Sequence, residues 1–178
     1  DYAPYGTYVV DLSQSQEELW RNVKRIQRQN IKKAEKRKVT VSVSDSRHAE
    51  AYRLIKDTFK RSKLPFMGSR SFMDYAEGLG EQGRLLVADG EGALQSCVLY
   101  AFSDYCAYAV YGGNLSPQIP GANKLLHWDA ICMFKEMGVQ RYDFYGARVN
   151  PDKGSKQETI NAFKRRLGGH LIQGYMWK

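Results

Sequence analysis

The spacing of apolar residues along the chain switches between two periods, and the switches mark out the elements. Alternation in Thr7-Tyr-Val-Val-Asp-Leu12 predicts a strand. Ser15 and Glu18, just ahead of Leu19-Trp20, form a capping box, in which hydroxyl and carboxylate satisfy free amides at a helix start. That helix is expected to run to about Lys38, with a break near Gln29-Asn30. At helical spacing, Trp20, Val23, Gln27, Ile31 and Ala34 share one stripe, while Arg21, Arg25, Arg28, Lys32 and Lys36 share the adjoining one. Such a helix packs its apolar side and presents a row of cations.

The β-branched run Val39 to Val43 predicts a second strand. Asp45 or Ser46 is expected to cap a second helix, with Tyr52, Ile55 and Phe59 facing inward. The segment from Arg61 to Arg70 holds Pro65 and Gly68 and reads as a loop, followed by a third helix from about Ser71 to Gly80. From residue 84 to 111 the pattern is a three-stranded meander, with tight turns at Gly90-Glu-Gly92 and Ser103-Asp104 and its end at Gly112-Gly113. A loop with Pro117 and Pro120 leads into an almost wholly apolar helix, Leu125 to Met137, which must be buried. Gly138 ends it. A strand, Arg141 to Tyr145, closes at Gly146; a helix from about Lys156 to Leu167 follows, and Gly168-Gly169 hands over to a last strand, Leu171 to Trp177. Helices alternate with strands while the centre is antiparallel. The expected fold is therefore α/β, a mixed sheet flanked by helices, and not a doubly wound parallel sheet.

A chain of 178 residues fits one domain with a real core, and no apolar run is long enough to suggest a membrane span or signal peptide. Charge changes the picture more. Residues 21 to 38 hold nine Lys/Arg and one acid, Glu35, which accounts for the whole net charge of +8; elsewhere the signs balance. Cys97, Cys106 and Cys132 lack any CxxC spacing, and His48, His127 and His170 lie far apart, so no zinc signature and no disulfide framework is present. These six read as buried thiols and as surface or satisfied histidines, in a reducing compartment. No metal is expected. The chain opens on Asp1, as expected of a piece of a longer protein.

Four stretches occur in order: RQNIKKAEKRKVTV (Arg28 to Val41), TFKRSKLPFMGSRSFMDY (Thr58 to Tyr75), YDFYG (Tyr142 to Gly146) and FKRRLGG (Phe163 to Gly169). Together they resemble the Fem-type peptidoglycan aminoacyltransferases, which pair two acetyltransferase-like (GNAT-fold) modules. They equally resemble a related acetyltransferase-like family associated with envelope and polysaccharide genes. The resemblance runs from about Thr7 to Trp177 and implies a GNAT-like module, the C-terminal one of two. It also implies transfer of an amino acid from aminoacyl-tRNA to an amine of a peptidoglycan precursor, with no metal, no further cofactor and no covalent enzyme intermediate. The implied place is the cytoplasm, beside the inner face of the membrane.

Joining an ester to an amine requires holding both, removing a proton and stabilising an oxyanion. The resemblance assigns that last role to Lys164 of the Phe163-Lys164 pair, with Phe163 and Gly146 at the substrate. It places Arg61 and Arg70 on the precursor's diphosphate, with Lys60 and Lys63 as lesser candidates. The row Arg21, Arg25, Arg28, Lys32 and Lys36 suits an RNA backbone, and an anionic membrane surface would also accept it. Asp143 is either a proton acceptor or a structural hydrogen-bonding group. Pro120 to Lys124 opens a helix and could hold an anion on free amides. It departs from the pyrophosphate loop of coenzyme-A acetyltransferases, because Asn123 stands where a small residue is required. Two other readings stay open: an acyl-CoA N-acyltransferase of the envelope family, and a silent module that binds RNA or anionic lipid.

Overall fold

The computed structural model describes residues 2–177, and the side chains of residues 4–175. The chain runs β1 (Tyr2–Asp11), α1 (Gln16–Asn22), α2 (Arg25–Lys36), β2 (Thr40–Val43), α3 (His48–Arg61), α4 (Ser69–Gly78) and a 3-10 turn (Gly80–Gln82). It continues through β3 (Gly83–Gly90), β4 (Ala93–Phe102), β5 (Cys106–Asn114), α5 (Ala122–Glu136), β6 (Arg141–Asp143), α6 (Lys156–Arg166) and β7 (His170–Trp177). One seven-stranded sheet forms in the order β2-β3-β4-β5-β6-β1-β7. All neighbours are antiparallel except β5 and β6. This is the α/β, GNAT-like architecture of a mixed sheet flanked by helices.

Alternation along each strand divides the core between the two faces of the sheet. Leu85, Val87, Cys97 and Leu99 pack with Ile55 of α3 and Phe72 of α4. Leu86, Ala88, Val98 and Tyr100 face the other way, against Ile31 of α2 and Leu126, Ala130 and Phe134 of α5. No residue of α5 between Ala122 and Lys135 is solvent exposed, so its apolar run is buried as expected that far, while Met137 at the end of the run is exposed. No helix among the described residues is long and apolar enough to cross a membrane.

The first strand begins at Tyr2 rather than Thr7, and the strand expected to reach Tyr145 ends at Asp143. Three further boundaries differ from expectation, each through a contact distant in sequence. The expected break near Gln29-Asn30 falls instead at Val23-Lys24, where both residues are extended. There the Lys24 amide bonds the Arg166 carbonyl at 2.8 Å instead of continuing the helix. The Arg28 guanidinium caps the carbonyls of Trp20, Arg21 and Val23 at 3.1, 3.1 and 2.9 Å. The helix after β2 is not capped by Asp45 or Ser46, because its N-cap is Arg47. That side chain is drawn to Asp89 of β3 in a two-pronged ion pair, and also to Glu50. Lastly, β5 runs through Gly112-Gly113 to Asn114. A Cβ on Gly113 would stand 2.7 Å from the Ile55 amide nitrogen, so glycine here lets α3 lie directly on the strand.

Candidate active site

The single parallel pairing creates the site. Strands β5 and β6 are in register only over Cys106–Arg141, Ala107–Tyr142 and Tyr108–Asp143. Beyond that β6 ends, while β5 continues along β4, so the two diverge and leave the backbone edge of residues 109 to 114 without a partner strand on that side. A register shift between Leu99 and Tyr100 adds an extra residue to β5 opposite this point, bending the strand further. The wedge is a cleft of about 450 Å³. Ala109, Gly112 and Asn114 of β5, Asn123 and His127 of α5, and Thr159, Phe163 and Lys164 of α6 line it.

Lys164 is 8% exposed, and its ammonium donates to the carbonyls of Tyr145 (3.1 Å) and Gly146. Both acceptors sit in left-handed backbone, with φ of 56° and 74°. Nothing would crowd a Cβ on Gly146, so it is the conformation that calls for glycine there. Asp143 holds this turn: it accepts from the Thr7 hydroxyl and from the Tyr145 amide (2.7 Å), while the Gly146 amide donates to Thr7 Oγ1 at 3.2 Å. Asp143 is therefore a structural hydrogen-bonding group that fixes the two carbonyls. Burial lowers the Lys164 pKa to about 8, an effect partly opposed by the Asp143 charge. Two of its three donors are committed, which leaves one for the cleft.

Phe163 packs edge-on against His127 at 5.4 Å and Phe144 at 6.3 Å, with the Lys124 ammonium 6.0 Å from its ring centre. Burial also lowers the pKa of Lys124. Asn114 Oδ1 accepts from Ser96 Oγ (2.8 Å) and Asn123 Nδ2 (2.9 Å), tying the far end of β5 to the start of α5. Lys164 is the one charged side chain that lines this cleft among the described residues, with Lys124 beside it across the Phe163 ring.

The predicted residues separate into groups. Lys164 and Phe163 line the cleft, and Gly146 supplies a carbonyl to the lysine. Arg61 reaches the rim, where its guanidinium holds Thr58 Oγ1 (2.9 Å) and the Asn114 carbonyl. Arg70, exposed in the first turn of α4, is not brought to the cleft. Lys60 and Lys63 border a separate depression with Lys56 and Leu64. Of the cationic row, Arg21, Arg25, Lys32 and Lys36 are exposed. Arg28 is turned inward onto α1, and Arg21 lies on a different helix from the others, paired with Glu17 at 3.4 Å. At Pro120 to Lys124, Gly121 is packed against the Asn30 carbonyl of α2; Gly121 and Ala122 are buried, Asn123 and Lys124 half-buried, and Pro120 exposed.

His127 is the cleft residue that its sequence context conceals. It is 6% exposed, with Nδ1 2.6 Å from the Tyr142 hydroxyl. Burial and the Lys164 and Lys124 charges lower its pKa to about 3, so the ring is neutral. The one available signal was a histidine near the start of an otherwise apolar helix. Cys97 and Cys106 are buried free thiols, and Cys132 is half-buried.

Comparison with known proteins agrees with this fold. FemX aligns over 93% of this chain and 59% of its own length, with a TM-score of 0.79 at 18% identity. L-PGS from Bacillus licheniformis aligns over 98% of this chain and 60% of its own, with a TM-score of 0.66 at 15% identity. A C-terminal DUF2156 domain assigned to lysylphosphatidylglycerol synthetase, from Agrobacterium fabrum, gives 0.68 at 13% identity over 98% and 60%. At these identities the likeness is one of fold, and the chain spans about 60% of the length of the solved relatives it matches. No curated protein matches the sequence. Residues 21–165 match the family described as the acetyltransferase (GNAT) domain, and with a match over most of its length this chain belongs to that transferase family.

Proposed function

We propose that this domain forms an amide bond, moving an amino acid from the 3′ ester of an aminoacyl-tRNA to an amine on the stem peptide of a peptidoglycan precursor. In this reaction the neutral amine attacks the ester carbonyl carbon and a C–N bond forms. The carbonyl π pair becomes an oxyanion; its collapse breaks the bond to the ribose oxygen, which leaves with the proton shed by the nitrogen. The observation that carries the reading is the Lys164 ammonium, held by two backbone carbonyls at a cleft whose lining has no carboxylate. A fixed cation in a partly desolvated place stabilises an oxyanion without reorganising during the reaction. The exposed cations of α2 are placed to gather the RNA backbone. The donor and acceptor are those that the Fem-type resemblance of the four sequence stretches implies, and the fold shared with FemX is compatible with them. The domain would act at the inner face of the membrane, with a preceding module of the same chain supplying the remaining substrate contacts.

The acetyltransferase family match favours a second reading in which the donor is an acyl-CoA thioester. Charged tRNA or acyl-CoA, each incubated with a stem peptide bearing a free amine and followed by mass spectrometry, separates them. Aminoacylated peptide is the expected product. Transfer from acyl-CoA alone selects the second reading, and transfer from neither removes both.

A further inference from the structure

Three buried side chains connect the interior of the sheet to the cleft. The Tyr100 hydroxyl lies 3.0 Å from that of Tyr142, which lies 2.6 Å from Nδ1 of His127. Both tyrosines are 0% exposed, and among the described residues Tyr100 Oη has no other partner. The tautomer of His127 decides whether every hydrogen in this row finds an acceptor. If His127 carried its proton on Nδ1, it would donate to Tyr142, Tyr142 to Tyr100, and the Tyr100 hydrogen would be left in apolar surroundings without an acceptor. Leaving a buried polar hydrogen without an acceptor is costly, because it has lost water and gained nothing in exchange. If Tyr100 donates to Tyr142 and Tyr142 to Nδ1, every hydrogen in the row has an acceptor and the ring proton is on Nε2. The second arrangement is favoured by that difference.

The ring is held by Phe144 at 5.5 Å and Phe163 at 5.4 Å, which fixes the direction of Nε2. Nε2 has no hydrogen-bond partner among the described residues, and it is not one of their sealed, unsatisfied polar atoms. It therefore opens into the cleft that His127 lines beside Lys164. We infer that His127 is a further catalytic residue, whose Nε2–H donates a hydrogen bond to the reacting carbonyl oxygen opposite the Lys164 ammonium, with Tyr100 and Tyr142 as positioning residues that set its tautomer. This assignment rests on the acyl-transfer reading above. A pKa of about 3 fits it: the imidazole is too weak a base to take the amine's proton, yet donates at every working pH. Two donors of unlike charge then meet one oxygen, and neither gives up its proton.

Nitrogen-15 NMR of the wild-type protein at pH 7 tests the tautomer without any substrate. A protonated, pyrrole-type Nε2 and a pyridine-type Nδ1 are expected for His127, and a protonated Nδ1 overturns the assignment. Tyr142→Phe keeps the ring packing and removes the donor to Nδ1, so the two tautomer signals should mix and kcat should fall about tenfold. His127→Phe should lower kcat by roughly a hundredfold with KM little changed, while His127→Gln, which retains an N–H donor, should recover part of that loss. Wild-type transfer rates in His127→Phe overturn the proposal. If either variant fails to fold, the wild-type tautomer still decides whether a donor faces the cleft. The expected tautomer without transfer from either donor refutes the acyl-transfer reading itself, and this assignment with it.

Discussion

Of the nine basic residues between Arg21 and Lys38, eight are solvent exposed; Lys164 in the β5–β6 cleft and Lys124 beside it are not. The first group carries the chain's entire net charge, the second is invisible in any charge count. Two charges about 4 Å apart interact by roughly 1 kcal/mol in bulk water and about 4 kcal/mol where the effective dielectric constant is near 20. Exposed cations are also screened over about 8 Å at physiological salt. The α1–α2 face therefore attracts a polyanion weakly per charge, through many phosphates at once and subject to salt. Lys164 has already given up part of its hydration, is held at two carbonyls, and acts on a single oxygen. Gathering an anion and stabilising one that is forming are separate tasks, and burial is what distinguishes the cations suited to each.

The largest effect should come from the cleft. Lys164→Met removes the ammonium and is expected to slow single-turnover transfer by about 10²- to 10³-fold, with the salt dependence of donor binding unchanged. A pH profile sharpens the point. With burial lowering its pKa to about 8, Lys164 is an ammonium below that pH and loses its charge above it. Corrected for the fraction of acceptor amine that is neutral, the wild-type rate should therefore fall about tenfold per pH unit well above 8, a limb that the Met variant should lack. A variant as fast as wild type would mean that Lys164 is only a strut for the Tyr145–Gly146 turn.

A smaller effect, and of another kind, is expected from the exposed face. Charge reversal at Arg25, Lys32 and Lys36 together should weaken binding of an RNA donor about tenfold at physiological salt. It should also flatten the slope of log affinity against log salt by at least ~0.7 for each phosphate that is no longer neutralised. The rate at saturating donor should hold, and stability should change by no more than about 0.5 kcal/mol per site. An unchanged slope would remove nucleic acid from this face.

The same contrast explains what could be read in advance. Periodicity located the strands and helices, with α1 and α2 taken as one, since those signals are local: the Ser15–Glu18 box caps α1, and most of the apolar run of α5 is buried. Boundaries set by distant partners were not legible. Nothing near Val23 announces that the Arg166 carbonyl will take the Lys24 amide, and nothing near Ser46 shows Arg47 committed to Asp89. The cleft behaves likewise. Lys164 stood out only through the Fem-type resemblance that the Phe163-Lys164 pair helps to carry, whereas His127 acquires its meaning from Tyr142 and, through it, from Tyr100. Arg61 and Arg70 share one loop in sequence, yet one ends α3 at the cleft rim and the other begins α4 away from it.

Arg28 sits between the two regions and gives the smallest and most discriminating prediction. By position it belongs to the cationic row; by its hydrogen bonds it belongs to the fold, because its guanidinium closes the last carbonyls of α1 where the chain breaks before α2. A cation at a helix C-terminus offsets the dipole and satisfies carbonyls that the helix cannot. Arg28→Ala should cost about 1–2 kcal/mol of stability, or about 2–8 °C in Tm for a chain of this size. It should leave the salt slope of donor binding where it was, whereas Lys32→Ala should do the reverse: no loss of Tm and a shallower slope. If Arg28→Ala instead flattened the slope at constant Tm, the guanidinium would be facing solvent and the row would be continuous, which the break at Val23-Lys24 argues against.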